Sequence, residues 1–256
     1  MLIEIFSDVV CPWCYIGKRR LERALAEFTH RDGVELLYRS FELDPTTPKD
    51  SELSLDEMLA AKYGRSLTEA RAMNQRVSDL AAEAGLRFDL ARAHPANTFD
   101  AHRLLHHALA QGRQAELTEQ LLRAYFTEGA RLADHRVLAD LAAEVGLDRD
   151  TAAAVLAGQN YADAVRADLA LARSFGATGV PFFVFDRRYG VSGAQDVGVF
   201  AQVLERAWSD REGSDREGSD REPDPVTAGE ARTDEARTDE ARTDEARTDD
   251  SCSPTR

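Results

Sequence analysis

The polarity pattern of the first forty residues predicts a strand, a helix and a second strand. Residues 2–6 form a short apolar run with β-branched and aromatic side chains and no breaker, which is typical of a strand. A helix is predicted next, because apolar side chains recur at helical spacing between charged ones; they are Cys14, Leu21, Leu25 and Phe28. Residues 34–41 alternate in polarity and predict a strand parallel to the first, joined to it by a right-handed βαβ crossover.

Between residues 54 and 175 the apolar spacing is helical throughout, with no strand pattern. The predicted helices span residues 54–63, 66–84, 98–110, 115–128, 134–145, 151–156 and 161–175. A capping box, Ser66-Leu67-Thr68-Glu69, begins the second of them. Glycines stand where the helices would end, a position that favours the left-handed backbone conformation: Gly64, Gly85, Gly112, Gly129, Gly146 and Gly176.

Strand patterns return after this helical segment. Residues 182–185 are apolar and aromatic, and residues 189–191 follow a short polar connection, so we predict an antiparallel hairpin. A last helix is predicted over residues 196–208. The chain is therefore expected to be of the α/β class. Its predicted domains are a discontinuous α/β domain, residues 1–50 and 177–208, and an inserted all-helical domain, residues 51–176.

Charge and composition separate the C-terminal end from the rest of the chain. Of 256 residues, 43% are hydrophobic, which is enough for a sizeable core. Residues 209–256 contain repeats such as Glu-Ala-Arg-Thr-Asp and carry 8 Arg against 16 Asp and Glu. With almost no large apolar side chains, this tail is predicted to be disordered, and Cys252 within it to have no special role. The remainder is mildly acidic, which argues against nucleic acid as a partner.

The sequence shows no targeting or membrane signal. Met1 leads directly into the first predicted strand, and nowhere do 18 apolar residues run together. We therefore expect a cytoplasmic protein with no membrane partner. In that compartment a structural disulfide is rare, and neighbouring cysteines are more often catalytic.

The candidate chemistry lies at the first strand–helix junction, in Cys11-Pro12-Trp13-Cys14. Cys11 falls at the N-cap and Pro12 at the first helical position, where a missing N–H costs nothing. Free amides and the helix dipole favour the thiolate at an N-terminus, so Cys11 is the candidate nucleophile. Cys14 lies one turn further on the same face, within reach of a readily reduced disulfide. Because so short a loop would stabilise the fold little, thiol–disulfide exchange is the better interpretation.

Two other interpretations of the cysteine pair remain open on the residues alone. A structural zinc site would need two further ligands, for which His102 and His106 are candidates. Alternatively, both cysteines could be ordinary packed side chains. We predict a redox-active pair, no metal and no bound cofactor.

The segment Ser7-Asp8-Val9-Val10-Cys11-Pro12-Trp13-Cys14-Tyr15-Ile16-Gly17 resembles the DsbA-type thioredoxin superfamily, and more narrowly its FrnE-like branch. That branch is similar to 2-hydroxychromene-2-carboxylate isomerases and kappa-class glutathione transferases. The resemblance spans residues 1 to about 208 and implies a thioredoxin fold with a large helical insertion. It also implies a cytosolic thiol–disulfide oxidoreductase acting through a mixed disulfide on protein or small-thiol disulfides. Glutathione or another thiol would be the co-substrate.

The resemblance assigns further site residues. It implies a cis bond at Val180-Pro181, facing the dithiol, with the Val180 backbone receiving substrate by β-addition. Trp13 stands where DsbA-type oxidases usually carry histidine; an indole cannot stabilise the thiolate, but offers substrates a flat apolar surface. Asn97 and His102 begin a helix expected to roof the cleft, where both are candidate substrate-binding residues. Their neighbours could equally be plain core.

Glu4 is a candidate proton acceptor for Cys14. An acid inside an apolar strand would have a raised pKa if it were buried, which suits that role. The alternative is that Glu4 lies exposed at an edge.

Two other functions compete with disulfide exchange. A glutathione-dependent isomerase or transferase of a small aromatic or polyketide-like molecule is one, although those isomerases usually carry serine at the first cysteine position and lack the second thiol. The other is a non-catalytic binding module that uses the acidic tail. The oligomeric state is open.

Overall fold

The computed structural model describes residues 1–49 and 51–219. Strand β1 (Leu2–Ser7) leads into helix α1 (Pro12–Glu27), and the chain returns through a short 3₁₀ turn to strand β2 (Glu35–Ser40). The two strands are parallel, with Leu2 opposite Glu35. The predicted βαβ unit is confirmed.

Seven helices separate this unit from the next strands within the described residues. They are α2 (Leu55–Tyr63), α3 (Leu67–Glu83), α4 (Phe99–Ala110), α5 (Gln114–Arg123), α6 (His135–Glu144), α7 (Arg149–Ala157) and α8 (Ala162–Ser174). Every glycine predicted to end a helix has a positive φ, between 61° and 86°. The capping box at Ser66 is present, and a second one at Ser54, which the sequence analysis did not identify, begins α2.

A hairpin completes the sheet. Strand β3 (Phe182–Phe185) is antiparallel to β1, and strand β4 (Tyr189–Ser192) is antiparallel to β3, which gives the order β2-β1-β3-β4. The predicted hairpin is confirmed. Because β1 is central, its C-terminal end and the start of α1 lie in the middle of the sheet edge.

Helix α1 packs between two hydrophobic cores. Leu21 belongs to a core that the sheet shares with the last helix, α9 (Val197–Ser219), through Phe183 and Phe200. Tyr15 and Ile16 belong to a second core, built mainly from the helical insertion. Helix α1 is therefore fixed from both sides.

Two helices differ from their predicted bounds. Residues 115–128 were expected to form one helix, but a π-helical turn over Ala124–Glu128 follows α5. Helix α9 was expected to end at residue 208, yet it continues to Ser219. Side-chain contacts explain part of this extension, because Tyr189 donates a hydrogen bond to Asp210 and Arg211 lies 5.6 Å over the Trp208 ring. The rest of the predicted disordered tail, including Cys252, lies outside the described residues.

Within residues 1–49 and 51–219, no helix is both long enough and apolar enough to span a bilayer.

Candidate active site

The two cysteines lie where the sequence predicts them, at the start of α1. Cys11 is the N-cap residue, with extended backbone angles, and Pro12 follows as the first helical residue. The Cys11 N–H donates to the Asp8 carbonyl at 3.1 Å, which closes the turn between β1 and α1. Among the described residues neither cysteine forms a disulfide.

The two thiols have different surroundings. The Cys11 Sγ lies 3.6 Å from the Val180 carbonyl oxygen. Burial raises the pKa of the Cys14 thiol well above its usual value, and the hydrogen bond and charge of Cys11 raise it further. A hydrogen bond from the Ser7 hydroxyl acts in the opposite direction without reversing the shift. Cys14 is therefore held as a neutral thiol near neutral pH.

A partly buried ion-pair cluster anchors α1 to the helical insertion. Glu119 of α5 accepts hydrogen bonds from Tyr15 and Lys18, each at 2.6 Å, and also pairs with Arg19. Burial alone would raise the pKa of the Glu119 carboxyl, but its hydrogen bonds from Arg19 and Lys18 lower it to about 2. The helix that carries the dithiol thus has a fixed position relative to the insertion.

The segment before β3 faces the dithiol. The Val180-Pro181 peptide bond is cis, as the resemblance implied. The Pro181 carbonyl accepts a hydrogen bond from the Gly193 N–H at 2.8 Å. Gly17 of α1 packs directly on this segment: a Cβ there would lie 3.1 Å from Pro181 Cγ and 3.2 Å from Phe183 Cζ. The absence of a side chain at Gly17 therefore sets how closely α1 approaches Pro181.

Gly17→Ala is expected to lower the free energy of unfolding by about 1–2 kcal/mol, because the added methyl group overpacks Pro181 and Phe183. Chemical denaturation measures the change. Gly198→Ala is the matched control, since a Cβ at Gly198 in α9 meets nothing within 4 Å and alanine favours a helix. Equal stability of the two variants would show that the approach at Gly17 is not restrictive.

A cavity of about 280 Å³ opens beside Cys11. One wall comes from the dithiol region, with Trp13 and Val180. The opposite wall comes from α2 and α3 and is mainly apolar, including Met58, Leu59, Tyr63, Met73 and Val77. Although only 2% of Cys11 is exposed, its side chain contributes to the lining. A substrate that enters the cavity therefore meets the thiol.

Large apolar side chains surround the cavity at the protein surface. Trp13 is 40% exposed and Tyr63 is 55% exposed, and both line the cavity. Met58 and Met73, two of the three methionines in the chain, lie deeper. Methionine side chains are flexible and polarisable, so this wall can adapt to differently shaped apolar groups.

Asn97 and His102 do not line this cavity. The Asn97 side chain accepts a hydrogen bond from the Phe99 N–H at 3.2 Å and donates one to the Pro45 carbonyl, so it ties the chain before α4 to the segment after β2. His102 is 1% exposed and lies behind Asp8, with Nε2 3.4 Å from Asp8 Oδ1. Their position gives no support to the predicted substrate contacts.

The environment of Glu4 corrects the prediction made for it. Glu4 is 1% exposed, so it is not an edge residue, and its carboxylate pairs with Arg39 at 2.7 Å and Arg187 at 2.8 Å. Burial raises its pKa, but the hydrogen bonds from Arg187 and Arg39 outweigh that effect and the net shift is downward. The expected raised pKa is wrong. A carboxylate stabilised in its charged form is a poor acceptor for the Cys14 proton.

The structure adds residues to the site that sequence reasoning missed. Asp8 stood in the motif but received no role, although it precedes the N-cap cysteine by one turn and lines the cavity. The lining residues of α2 and α3 gave no signal, because apolar spacing does not tell which distant element a helix face will meet. Within residues 1–49 and 51–219, no three or more His, Cys, Asp or Glu side chains are grouped to hold a metal ion.

Together these features define a class. The central strand of the sheet leads into a helix with a cysteine at its N-cap, and this cysteine lies opposite a cis-proline and beneath a helical insertion. This is the architecture of DsbA-type thioredoxin-like proteins. The DSBA-like thioredoxin domain model matches residues 2–205, and the chain belongs to this family. The resemblance drawn from the Cys11–Cys14 motif is confirmed.

Solved structures share the fold. A probable DsbA oxidoreductase from Streptomyces coelicolor is 46% identical, with a TM-score of 0.78 over 90% of this chain and 95% of that one. The cytosolic disulfide reductase DsbM from Pseudomonas aeruginosa is 21% identical, with a TM-score of 0.55 over 84% and 99%. A 2-hydroxychromene-2-carboxylate isomerase is 16% identical, with a TM-score of 0.60 over 84% and 99%. At these lower identities the likeness concerns the fold alone, so the site must decide the chemistry.

Proposed function

We propose that this protein is a thiol–disulfide oxidoreductase that uses Cys11 and Cys14. One observation carries the proposal: the Cys11 thiol, at a helix N-terminus, lies 3.6 Å from the Val180 carbonyl and lines an apolar cavity. The thiolate is the attacking species in disulfide exchange, and Cys11 is the cysteine of the pair that lines the cavity. A glutathione-dependent isomerase would not need Cys14, and the presence of two interacting thiols therefore favours disulfide exchange.

The reaction begins when the Cys11 thiolate attacks a disulfide of the substrate. A bond forms between the Cys11 sulfur and one substrate sulfur, while the other substrate sulfur leaves as a thiolate. The Cys14 thiol then loses its proton and attacks the Cys11 sulfur. The second substrate sulfur leaves, and the electron pair has passed from the dithiol to the substrate. The reverse sequence oxidises a dithiol.

The substrate is a disulfide in a protein or a small thiol compound, flanked by apolar groups. An extended substrate chain can pair with the backbone at Val180, which puts its sulfur beside Cys11 and an adjacent side chain in the cavity. Glutathione or another thiol would restore the starting redox state.

We also propose a cytoplasmic location, in line with the cytosolic disulfide reductase among the fold neighbours, which was also solved with glutathione.

Cys14→Ala is expected to trap the mixed disulfide. Because Cys11 can still attack but nothing resolves the product, incubation of the reduced variant with glutathione disulfide should leave one glutathionyl group on Cys11. Intact-mass spectrometry after an acid quench measures it, and peptide mapping locates it. Wild-type protein should instead accumulate the Cys11–Cys14 disulfide.

Cys252→Ala is the control for this trapping experiment, because it removes a cysteine without touching the dithiol. It should behave as wild type. If Cys14→Ala remained unmodified under conditions in which glutathione disulfide is in excess, Cys11 would not be the attacking thiol and the proposed function would fail.

A further inference from the structure

A second, very small cavity, distinct from the substrate cavity, lies where the end of β1 meets β2, α4 and α5. Its volume is about 10 Å³, which is close to the space that one water molecule needs. Four of its lining side chains are buried and polar: Ser7, Ser40, His102 and Thr118. A space of this size with several polar groups suits a single hydrogen-bonded water.

His102 is the most unusual of these groups. It is 1% exposed, and within the described residues neither of its ring nitrogens has a hydrogen-bond partner. Asp8 Oδ1 lies 3.4 Å from His102 Nε2 and is also without a hydrogen bond there, while Asp8 Oδ2 accepts one from the Leu43 N–H at 2.8 Å. Leaving buried polar groups unpaired is costly, so an imidazole and a carboxylate held together in this way call for an explanation.

Ser7 connects this cluster to the dithiol. Hydrogen bonding by the Ser7 side chain lowers the pKa of the Cys14 thiol, which places that side chain next to the sulfur, and Ser7 also lines the small cavity that His102 lines. A continuous series of polar groups therefore runs from Cys14 through Ser7 and the cavity to His102. Asp8 stands at the far side of the imidazole and also lines the substrate cavity.

Disulfide exchange needs an acceptor at this place. Cys14 must lose its proton as it attacks Cys11, yet burial raises the pKa of its thiol. Glu4, the acceptor expected from the sequence, is stabilised as a carboxylate by Arg39 and Arg187. A buried imidazole next to a carboxylate is a suitable substitute, because imidazole is the commonest general base in proteins.

We propose that His102 accepts the Cys14 proton during resolution of the mixed disulfide, through the Ser7 hydroxyl and one water in the small cavity, with Asp8 orienting the imidazole. This inference rests on the proposed function. As the Cys14 sulfur forms its bond to Cys11, the bond between Cys11 and the substrate breaks. The proton moves to Ser7, whose own proton passes through the water to His102, and the substrate sulfur leaves as a thiolate.

Other charged and titratable groups face the same region. Asp8 approaches the imidazole from the turn after β1, and Glu42, from the segment after β2, interacts with it electrostatically. Burial raises the pKa of the Glu42 carboxyl. Tyr38 and Arg39 of β2 line the small cavity. His106, one turn along α4, pairs with Asp168 at 3.0 Å and also shares a hydrogen bond of 3.2 Å with Ser40, which lines the small cavity.

The test isolates the resolution step. Reduced protein is mixed with excess glutathione disulfide at several pH values, and samples are quenched in acid at successive times. Mass spectrometry then measures the mixed disulfide and the intramolecular disulfide in each sample. In His102→Asn we expect mixed-disulfide formation at the wild-type rate and resolution about 100-fold slower, the lower end of the range for general acid–base catalysis. The pH profile of the resolution rate should differ between wild type and variant, because only the wild type has an ionisable side chain at this position.

His107→Asn is the matched control. His107 is on the same helix and also buried, at 5% exposed, but its ring lies against Tyr161 on the other side of α4. This variant should keep both the wild-type resolution rate and its pH profile. A general loss of stability would affect both variants, whereas the pH profile should change only in His102→Asn.

Ser7→Ala keeps the inference testable if His102→Asn does not fold. Removing the hydroxyl should slow resolution by about 10-fold or more, and Ser7→Thr, which restores a hydroxyl, should recover it. Resolution at the wild-type rate in His102→Asn, or in Ser7→Ala, would overturn the relay while leaving the proposed function intact. If wild-type protein formed no mixed disulfide at all, the proposed function itself would fail.

Discussion

Cys11→Ser is expected to reduce insulin-reduction activity at least a thousandfold, about the effect of removing a nucleophile in other enzymes. A serine hydroxyl at the N-cap stays protonated at neutral pH and cannot take part in a sulfur–sulfur exchange. Cys14 cannot take over, because it does not line the cavity as Cys11 does, and burial raises its pKa well above the usual value. Refolding of scrambled ribonuclease should be lost in parallel, because isomerisation starts with the same attack.

The variant should keep its stability, since serine is small and well suited to a helix N-cap. Equal melting temperatures of wild type and Cys11→Ser would show that lost activity is not lost folding. Cys252→Ser makes the same substitution at the third cysteine of the chain and should be fully active. Retention of both activities in Cys11→Ser would remove the proposed mechanism, whatever the family.

The elements around the dithiol could be predicted because their causes are local. An apolar run without breakers gave β1, and proline after the N-cap cysteine marked the start of α1. Glycines that need a positive φ marked helix ends throughout the insertion. The cis bond before Pro181 was different, because nothing in the local sequence sets it, and its prediction came only from the family resemblance.

Long-range partners explain what could not be predicted. Glu4 meets Arg39 and Arg187, which are 35 and 183 residues away, and only their approach reverses the direction of its pKa shift. The wall formed by α2 and α3 likewise depends on how the insertion folds back over Trp13. Periodicity shows that a helix has an apolar face, but it does not show what that face will meet.

The buried charges behind the dithiol give the largest expected effect on stability. Arg39 bridges two carboxylates that are almost fully buried, Glu4 at 2.7 Å and Asp168 at 3.1 Å. Asp168 also accepts a hydrogen bond from the Ser40 N–H at 2.9 Å, so this cluster holds the end of β2 against α8. We expect Arg39→Met to lower the free energy of unfolding by about 3–5 kcal/mol, because it leaves buried negative charge without its counter-charge. Urea denaturation at pH 7 measures the change.

Arg187→Met is the matched control, since it makes the same substitution at the other partner of Glu4. The Arg187 side chain is 57% exposed and Glu4 keeps its contact with Arg39, so the loss should be clearly smaller. Equal losses in the two variants would contradict the central role given to Arg39.

The effect of Arg39→Met should shrink in acid, which separates lost charge pairing from lost packing. Burial raises the pKa of the Glu4 and Asp168 carboxyl groups, but their hydrogen bonds outweigh burial, so both pKa values are lowered. The main hydrogen-bond partners are Arg187 and Arg39 at Glu4, and His106 and Ser40 at Asp168. A carboxyl group with a lowered pKa in the folded state stabilises the protein above its unfolded pKa, about 4, and loses that contribution as the pH falls further. Wild-type stability should therefore fall below about pH 4, while the variant, which has already lost part of this pairing, should fall less. A difference between wild type and variant that stayed constant from pH 7 to pH 3 would show that the Arg39 side chain stabilises the fold by packing alone.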